Sequence, residues 1–122
     1  MVVAGEEEMR ILLRGLLQLH RVRVDAEAEG LADALPLARE RRPSLVVADS
    51  HLSDGAIPEL IAGLRAILPQ VRCVVVYPSS HPPPRGESPN GPDVLLRKPF
   101  RIREFAEAIA PSGSDRAPPR SA

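Results

Sequence analysis

The chain has 122 residues, which is one domain's worth and enough for a single core. Its 16 basic and 16 acidic residues balance, so no electrostatic footprint points to nucleic acid or to an anionic membrane. The single cysteine, Cys73, rules out an internal disulfide framework and a cysteine zinc site, and no apolar run approaches the roughly 18 residues of a membrane span.

The elements follow in chain order. Val2-Val3-Ala4 is a short apolar run ending at Gly5, with no basic region of the kind that opens a signal peptide, so a cytoplasmic protein is expected. Glu6, Glu7 and Glu8 then open a helix, where negative charge suits the dipole. Met9, Leu12, Leu13, Leu16 and Leu19 follow the spacing of its apolar face. Residues 22–26 read as a short strand. Leu31 to Arg42 reads as a helix carrying Pro36 and closed by Pro43.

Leu45-Val46-Val47-Ala48 is apolar on both sides, as a buried parallel strand is, and it ends on Asp49. Residues 50–55 are turn formers. A helix runs from about Ile57 to Leu68, with Pro58 tolerated in its first turn. Residues 72–77 and 94–96 are two more strands, and Arg101 to Ala110 is a last helix with Ile102, Phe105, Ala106 and Ile109 on one face. Residues 78–92 hold six prolines, which no helix survives, and include a polyproline turn at 82–84. Residues 111–122 read as a disordered tail after a domain of residues 1–110.

Strands that alternate with helices imply an α/β fold, a doubly wound five-stranded parallel sheet covered on both faces. The functional crevice of such a sheet lies at the carboxyl ends of its strands. Four segments converge there: Gly5 to Glu7, Asp49 to His51, Tyr77 to Ser79, and Arg97 to Pro99. Asp49 and Lys98 are both among them. Lys98 is the sole lysine beside fifteen arginines, which favours a position where arginine's wide fork does not fit.

Leu45-Val46-Val47-Ala48-Asp49, Leu52-Ser53-Asp54-Gly55 and Leu96-Arg97-Lys98-Pro99-Phe100, in that order over residues 2–110, resemble the receiver domain of two-component response regulators. The resemblance implies a flavodoxin-like fold, Asp49 as phosphoacceptor, Lys98 as the cation on the phosphoryl group, and a cis peptide before Pro99. It implies a histidine kinase or phosphotransfer protein as partner. It also implies a Mg²⁺ held by acidic residues ending the first strand, by the acceptor Asp, and by the backbone carbonyl two residues beyond it.

Several positions depart from that pattern. Ala4 and Gly5 stand where the acidic pair belongs, which leaves Asp49 and Glu6 or Glu7 as weak metal candidates and Mg²⁺ weak or absent. Tyr77 takes the Thr/Ser position, where its longer side chain overshoots or blocks the pocket, and Leu95 takes the aromatic switch position. The proline-rich loop replaces the fourth helix. Its loss is expected to uncover Val76 and Leu95 and to invite a homodimer or an obligate partner.

Three readings follow. One is an atypical single-domain receiver with Asp49 phosphorylated and metal binding weakened. The second is a phosphate-independent pseudo-receiver scaffold. The third and remotest is a small enzyme, which no Gly-rich phosphate loop, Ser-His pair or paired carboxylates support. A non-enzyme is expected, acting through another protein because no output domain follows residue 110. His51, the triple glutamate and the polyproline turn read as polar surface, a solvated helix start and a plain loop.

Overall fold

The computed structural model describes residues 1–78 and 91–110. Its elements are β1 (Val2–Val3), α1 (Glu7–Leu19), β2 (Glu27–Ala28), α2 (Leu31–Arg41), β3 (Leu45–Asp49), α3 (Ile57–Ile67), β4 (Arg72–Pro78), β5 (Val94–Lys98) and α4 (Ile102–Ile109). The strands form one sheet in the order β2-β1-β3-β4-β5, and every pairing is parallel. Order 2-1-3-4-5 is the doubly wound arrangement, with its crevice where β1 and β3 diverge to their helices. The expected α/β class and flavodoxin-like sheet are therefore present. The helix-free proline-rich loop expected across 79–90 and the disordered tail expected over 111–122 lie outside the described residues.

The pleat sorts the apolar strands onto two faces. Val2, Val47, Val74, Val76 and Leu96 pack with Leu13 and Leu17 of α1 and with Phe105, Ala108 and Ile109 of α4. Val3, Val46, Ala48, Cys73 and Val75 pack with Ala34 and Ala38 of α2 and with Leu60, Ile61 and Leu64 of α3. With three aromatic side chains in the whole sequence, branched aliphatics fill both layers. Phe105 is the largest fully buried one and stacks on Phe100 with ring centroids 5.7 Å apart.

Four expectations need correction. The second strand is Glu27–Ala28, not residues 22–26. Val22 and Val24 earn their apolar spacing by packing on the α1/α4 layer, while only Glu27 and Ala28 come into register with Val2 and Val3. On α1 the buried residues are Leu13 and Leu17, with Met9 and Leu16 half-buried beside them; Leu12 and Leu19 are exposed. The helix is leucine-rich nearly all round, so spacing alone did not single out the inner face. On α4, Ile102 is 57% exposed and Ala108 takes its place in the core. Val76 is not uncovered but fully buried, because the pleat turns it to the α1/α4 layer; Leu95 alone faces the other side, half-buried against the α2/α3 layer.

One remote side chain stands in for a missing cap. Gly30 precedes α2 and brings no capping group. The carboxylate of Asp54, in the loop after β3, accepts from the amides of Leu31 at 2.6 Å and Ala32 at 3.2 Å. These are two of the first-turn donors that a helix leaves unpaired.

Cys73 lies in β4 among the aliphatics, and burial pushes its thiol up to about 11 from 9.0, with Asp93 adding to the rise and Arg65 opposing it. The folded protein is therefore expected to resist thiol alkylation at pH 8 and to react at the rate of unfolding. Between about pH 9 and 11 the unfolded chain sheds this proton while the folded chain keeps it, so stability falls as pH rises across that window. Denaturant titrations at pH 8 and pH 10.5, with Cys73→Ala as the reference lacking the effect, check it.

Candidate functional site

Three strand ends build the site. β3 and β4 pair with Asp49 opposite Val76, and β4 and β5 pair with Val76 opposite Leu96 and Pro78 opposite Lys98. Paired residues share a face, so Asp49, Val76, Pro78, Leu96 and Lys98 all project to the α1/α4 side. Lys98 lies one pleat beyond Leu96, and its chain reaches back across the end of β4. Its Nζ donates to Asp49 Oδ1 at 2.9 Å.

Asp49 is 3% exposed and is the sole buried charged residue among those described. A carboxylate so placed is costly unless it is paired and hydrogen-bonded. Oδ1 has the ammonium, and Oδ2 accepts the His51 amide at 3.1 Å. The His51 imidazole itself is exposed, so its part in the site is played by the backbone. The Lys98–Pro99 peptide is cis.

The corner at the end of β1 is closed. Ala4 is fully buried and its carbonyl accepts from the Arg10 guanidinium at 2.8 Å; another Arg10 nitrogen lies 3.8 Å from Glu29. The Gly5 amide donates to the His51 carbonyl at 2.9 Å. A Cβ on Gly5 would lie 3.0 Å from that carbonyl oxygen, 3.1 Å from the Ser53 nitrogen and 3.2 Å from the Leu52 carbonyl carbon. These are backbone atoms of the loop after β3, and they give way less readily than the tip of a side chain would. The loop therefore occupies the ground that a side chain at position 5 would need.

Mg²⁺ asks for near-octahedral oxygen, usually with one or two carboxylates. The residues here do not fit it. Position 4 has a methyl group and a carbonyl that accepts from Arg10, position 5 has no side chain, and the His51 carbonyl is turned to the Gly5 amide. Both Asp49 oxygens carry donors. Glu6 and Glu7 are exposed at the start of α1, and no group of three or more acidic, histidine or cysteine side chains suited to a metal occurs among the described residues.

The other altered positions lie on the opposite side of the sheet. Tyr77 is buried opposite Arg97, and the pleat gives it the face of Cys73 and Val75 rather than that of Asp49. Leu95 shares that face. On the Asp49 side, Lys98 stands at the rim of an open groove of about 680 Å³ walled by Leu12, Leu16, Pro78, Phe100 and Ile102, an almost wholly apolar surface beside an ion pair. Sequence reasoning missed Arg10, the His51 backbone and the Asp54 cap. For Asp54 the signal was present in the Ser53-Asp54-Gly55 turn, but its helical target lies 23 residues earlier.

No protein-family model matches the chain, and no curated protein matches it in sequence. Solved structures do match its fold. The receiver domain of AraT, a response regulator from Geobacillus stearothermophilus, is 22% identical with a TM-score of 0.72, over 89% of this chain and 87% of that one. A LuxR-family two-component response regulator from Aurantimonas sp. SI85-9A1 is 24% identical with a TM-score of 0.75, over 89% and 79%. The receiver domain of the response regulator NarL from Mycobacterium tuberculosis is 21% identical with a TM-score of 0.71, over 88% and 89%. The chain has the receiver fold. No helix among the described residues is long and apolar enough to cross a membrane.

The ion pair makes an energetic prediction. Lys98→Met strands the Asp49 carboxylate and is expected to cost about 2–4 kcal/mol at neutral pH. Asp49→Asn combined with Lys98→Met removes the charge together with its partner and is expected to recover more than half of that loss. Urea unfolding of the wild type, both single variants and the double variant measures the coupling.

Proposed function

We propose that the chain is a receiver-fold module of two-component signalling that acts by protein contact, with phosphate on Asp49 playing a weak part or none. The observation that carries this reading is the closed corner at β1, where Gly5 packs on the backbone of the loop at 51–53 and Ala4 is buried. Phosphoryl transfer to a carboxylate depends on positioning and charge neutralisation. Here a single ammonium, Lys98, is left to neutralise whatever charge gathers at Asp49. Mg²⁺ binding is accordingly weak or absent, and the module is no enzyme.

A protein partner is favoured over nucleic acid or a membrane surface. The net charge is zero, and the groove beside Lys98 is apolar. A histidine kinase or phosphotransfer protein is the partner class that this fold suggests, in the cytoplasm. The second reading, an atypical receiver that still accepts phosphate on Asp49, is favoured by one observation: the 2.9 Å Lys98–Asp49 pair keeps a cation on the acceptor oxygen.

Two measurements separate these readings. Mg²⁺ titrated against the Asp49 and Lys98 resonances is expected to give no saturation below about 1 mM; saturation there would mean that the β1 corner opens. A small acyl phosphate, with and without Mg²⁺, is expected to leave Asp49 unmodified or nearly so, and Asp49→Asn is expected to keep partner binding. Stoichiometric, Asp49-dependent phosphoprotein from such a donor or from a kinase would establish the second reading instead.

A further inference from the structure

Helix α1 carries a second apolar stripe that the fold does not use. Ile11 is 49% exposed, Leu12 47% and Leu19 64%. With Glu8 and Gly15 they follow the helical i, i+3, i+4, i+7, i+11 spacing on the side turned away from Leu13 and Leu17. Gly15 sits in the middle of the stripe, and a Cβ built on it meets nothing within 4 Å. Arg10 and Arg14 lie off the stripe, tied to Glu29 and to Glu27.

We propose that this stripe is a two-fold interface on which a second copy of the chain docks, α1 against α1 in antiparallel orientation and crossing at Gly15. About that residue the stripe matches itself at its two outer apolar positions, while Leu12 meets Gln18 of the other copy. Ile11 and Leu19 lie four positions to either side of Gly15, so a two-fold axis there sets Ile11 of each copy on Leu19 of the other. An isologous contact requires this self-matching of one patch. Gly15 at the crossing lets the two backbones approach without a side chain between them.

Charge picks the same occupant. The acidic end of α1, Glu6 to Glu8, makes no side-chain ion pair among the described residues, whereas the exposed Arg21 follows the other end, with Arg23 beyond it paired to Asp25 at 3.1 Å. Antiparallel pairing brings Glu8 of each copy to the turn at Arg21 and Val22 of the other. A parallel pairing would set glutamate on glutamate. The seam is short, so the dimer is weak and loosens with added salt. At the seam's margin Leu12 also walls the groove beside Lys98.

Cysteine cross-linking of the full chain reads the axis directly. Gly15→Cys is expected to give a covalent dimer with oxidised glutathione, because the axis brings the two new thiols together; Cys73 is buried and stays out of the reaction. Ile11→Cys alone and Leu19→Cys alone are expected to give little, and an equal mixture of the two to give the mixed dimer. Within one helix these positions are about 12 Å apart, too far to bridge. Leu19→Arg, with circular dichroism as the folding control, is expected to weaken association at least about tenfold in sedimentation equilibrium. A chain that stays monomeric at about 1 mM overturns the proposal. So does cross-linking that is equal at all three positions, or a dimer that survives Leu19→Arg unchanged.

Discussion

A carboxylate at the end of a buried strand must have a cation, and one lysine supplies it. Asp49 is almost wholly removed from water, and isolated in that state its charge would cost several kcal/mol. Lys98 can answer only if β5 ends beside β4 in the register that brings Pro78 opposite Lys98 while Val76 is opposite Asp49. The pair therefore ties β3 to β5 across the strand between them. An ammonium suits the task. It is compact, and one of its protons meets Oδ1, while a guanidinium would bring a wide, flat fork of five donors to a place with few acceptors. That is a physical reason for the only lysine in an arginine-rich chain to stand at position 98.

What surrounds the pair decides how it behaves. In a doubly wound sheet the crevice between β1 and β3 is where a ligand would enter. Here the loop after β3 descends into it, with the His51 carbonyl on the Gly5 amide and the His51 amide on Asp49 Oδ2. The same loop sends Asp54 to the start of α2. Four backbone or side-chain hydrogen bonds thus hold one short segment against the end of β3, the turn after β1 and the start of α2, and glycine at position 5 is what allows it so close. The closed corner and the hydrogen-bonded loop are one feature.

The sequence made the site's two charged members legible because each ends a strand that its apolar run announces, and because the lysine is unique. The parallel sheet was legible for the same reason: three buried runs separated by amphipathic stretches admit few other arrangements. What failed were inferences in which one cause was mistaken for another. Val22 and Val24 alternate because they pack, not because they pair, so the strand was placed too early. Val76 and Leu95 lie on neighbouring strands, and their nearness in the sheet hides the odd number of pleats that separates their faces. The absent carboxylates at positions 4 and 5 were plain to see; that backbone from residues 51–53 fills their place was not, since a contact over that many residues leaves no periodic trace.

Helix α1 contains the remaining tension between sequence and fold. Burying Leu13 and Leu17, with Met9 and Leu16 at the margins, completes the α1/α4 layer and accounts for about half of the helix's large apolar residues. Ile11, Leu12 and Leu19 add nothing to that layer, and an exposed glycine in mid-helix costs about 1 kcal/mol relative to alanine. Selection for monomer stability alone would favour polar residues on that side and alanine at 15. Scattered exposed apolar residues need no cause, but these fall on one stripe, matched about one small residue, with acid before it and base after it. The sheet and its ion pair fix where α1 lies; the reason for its outer face has to be sought in what it touches.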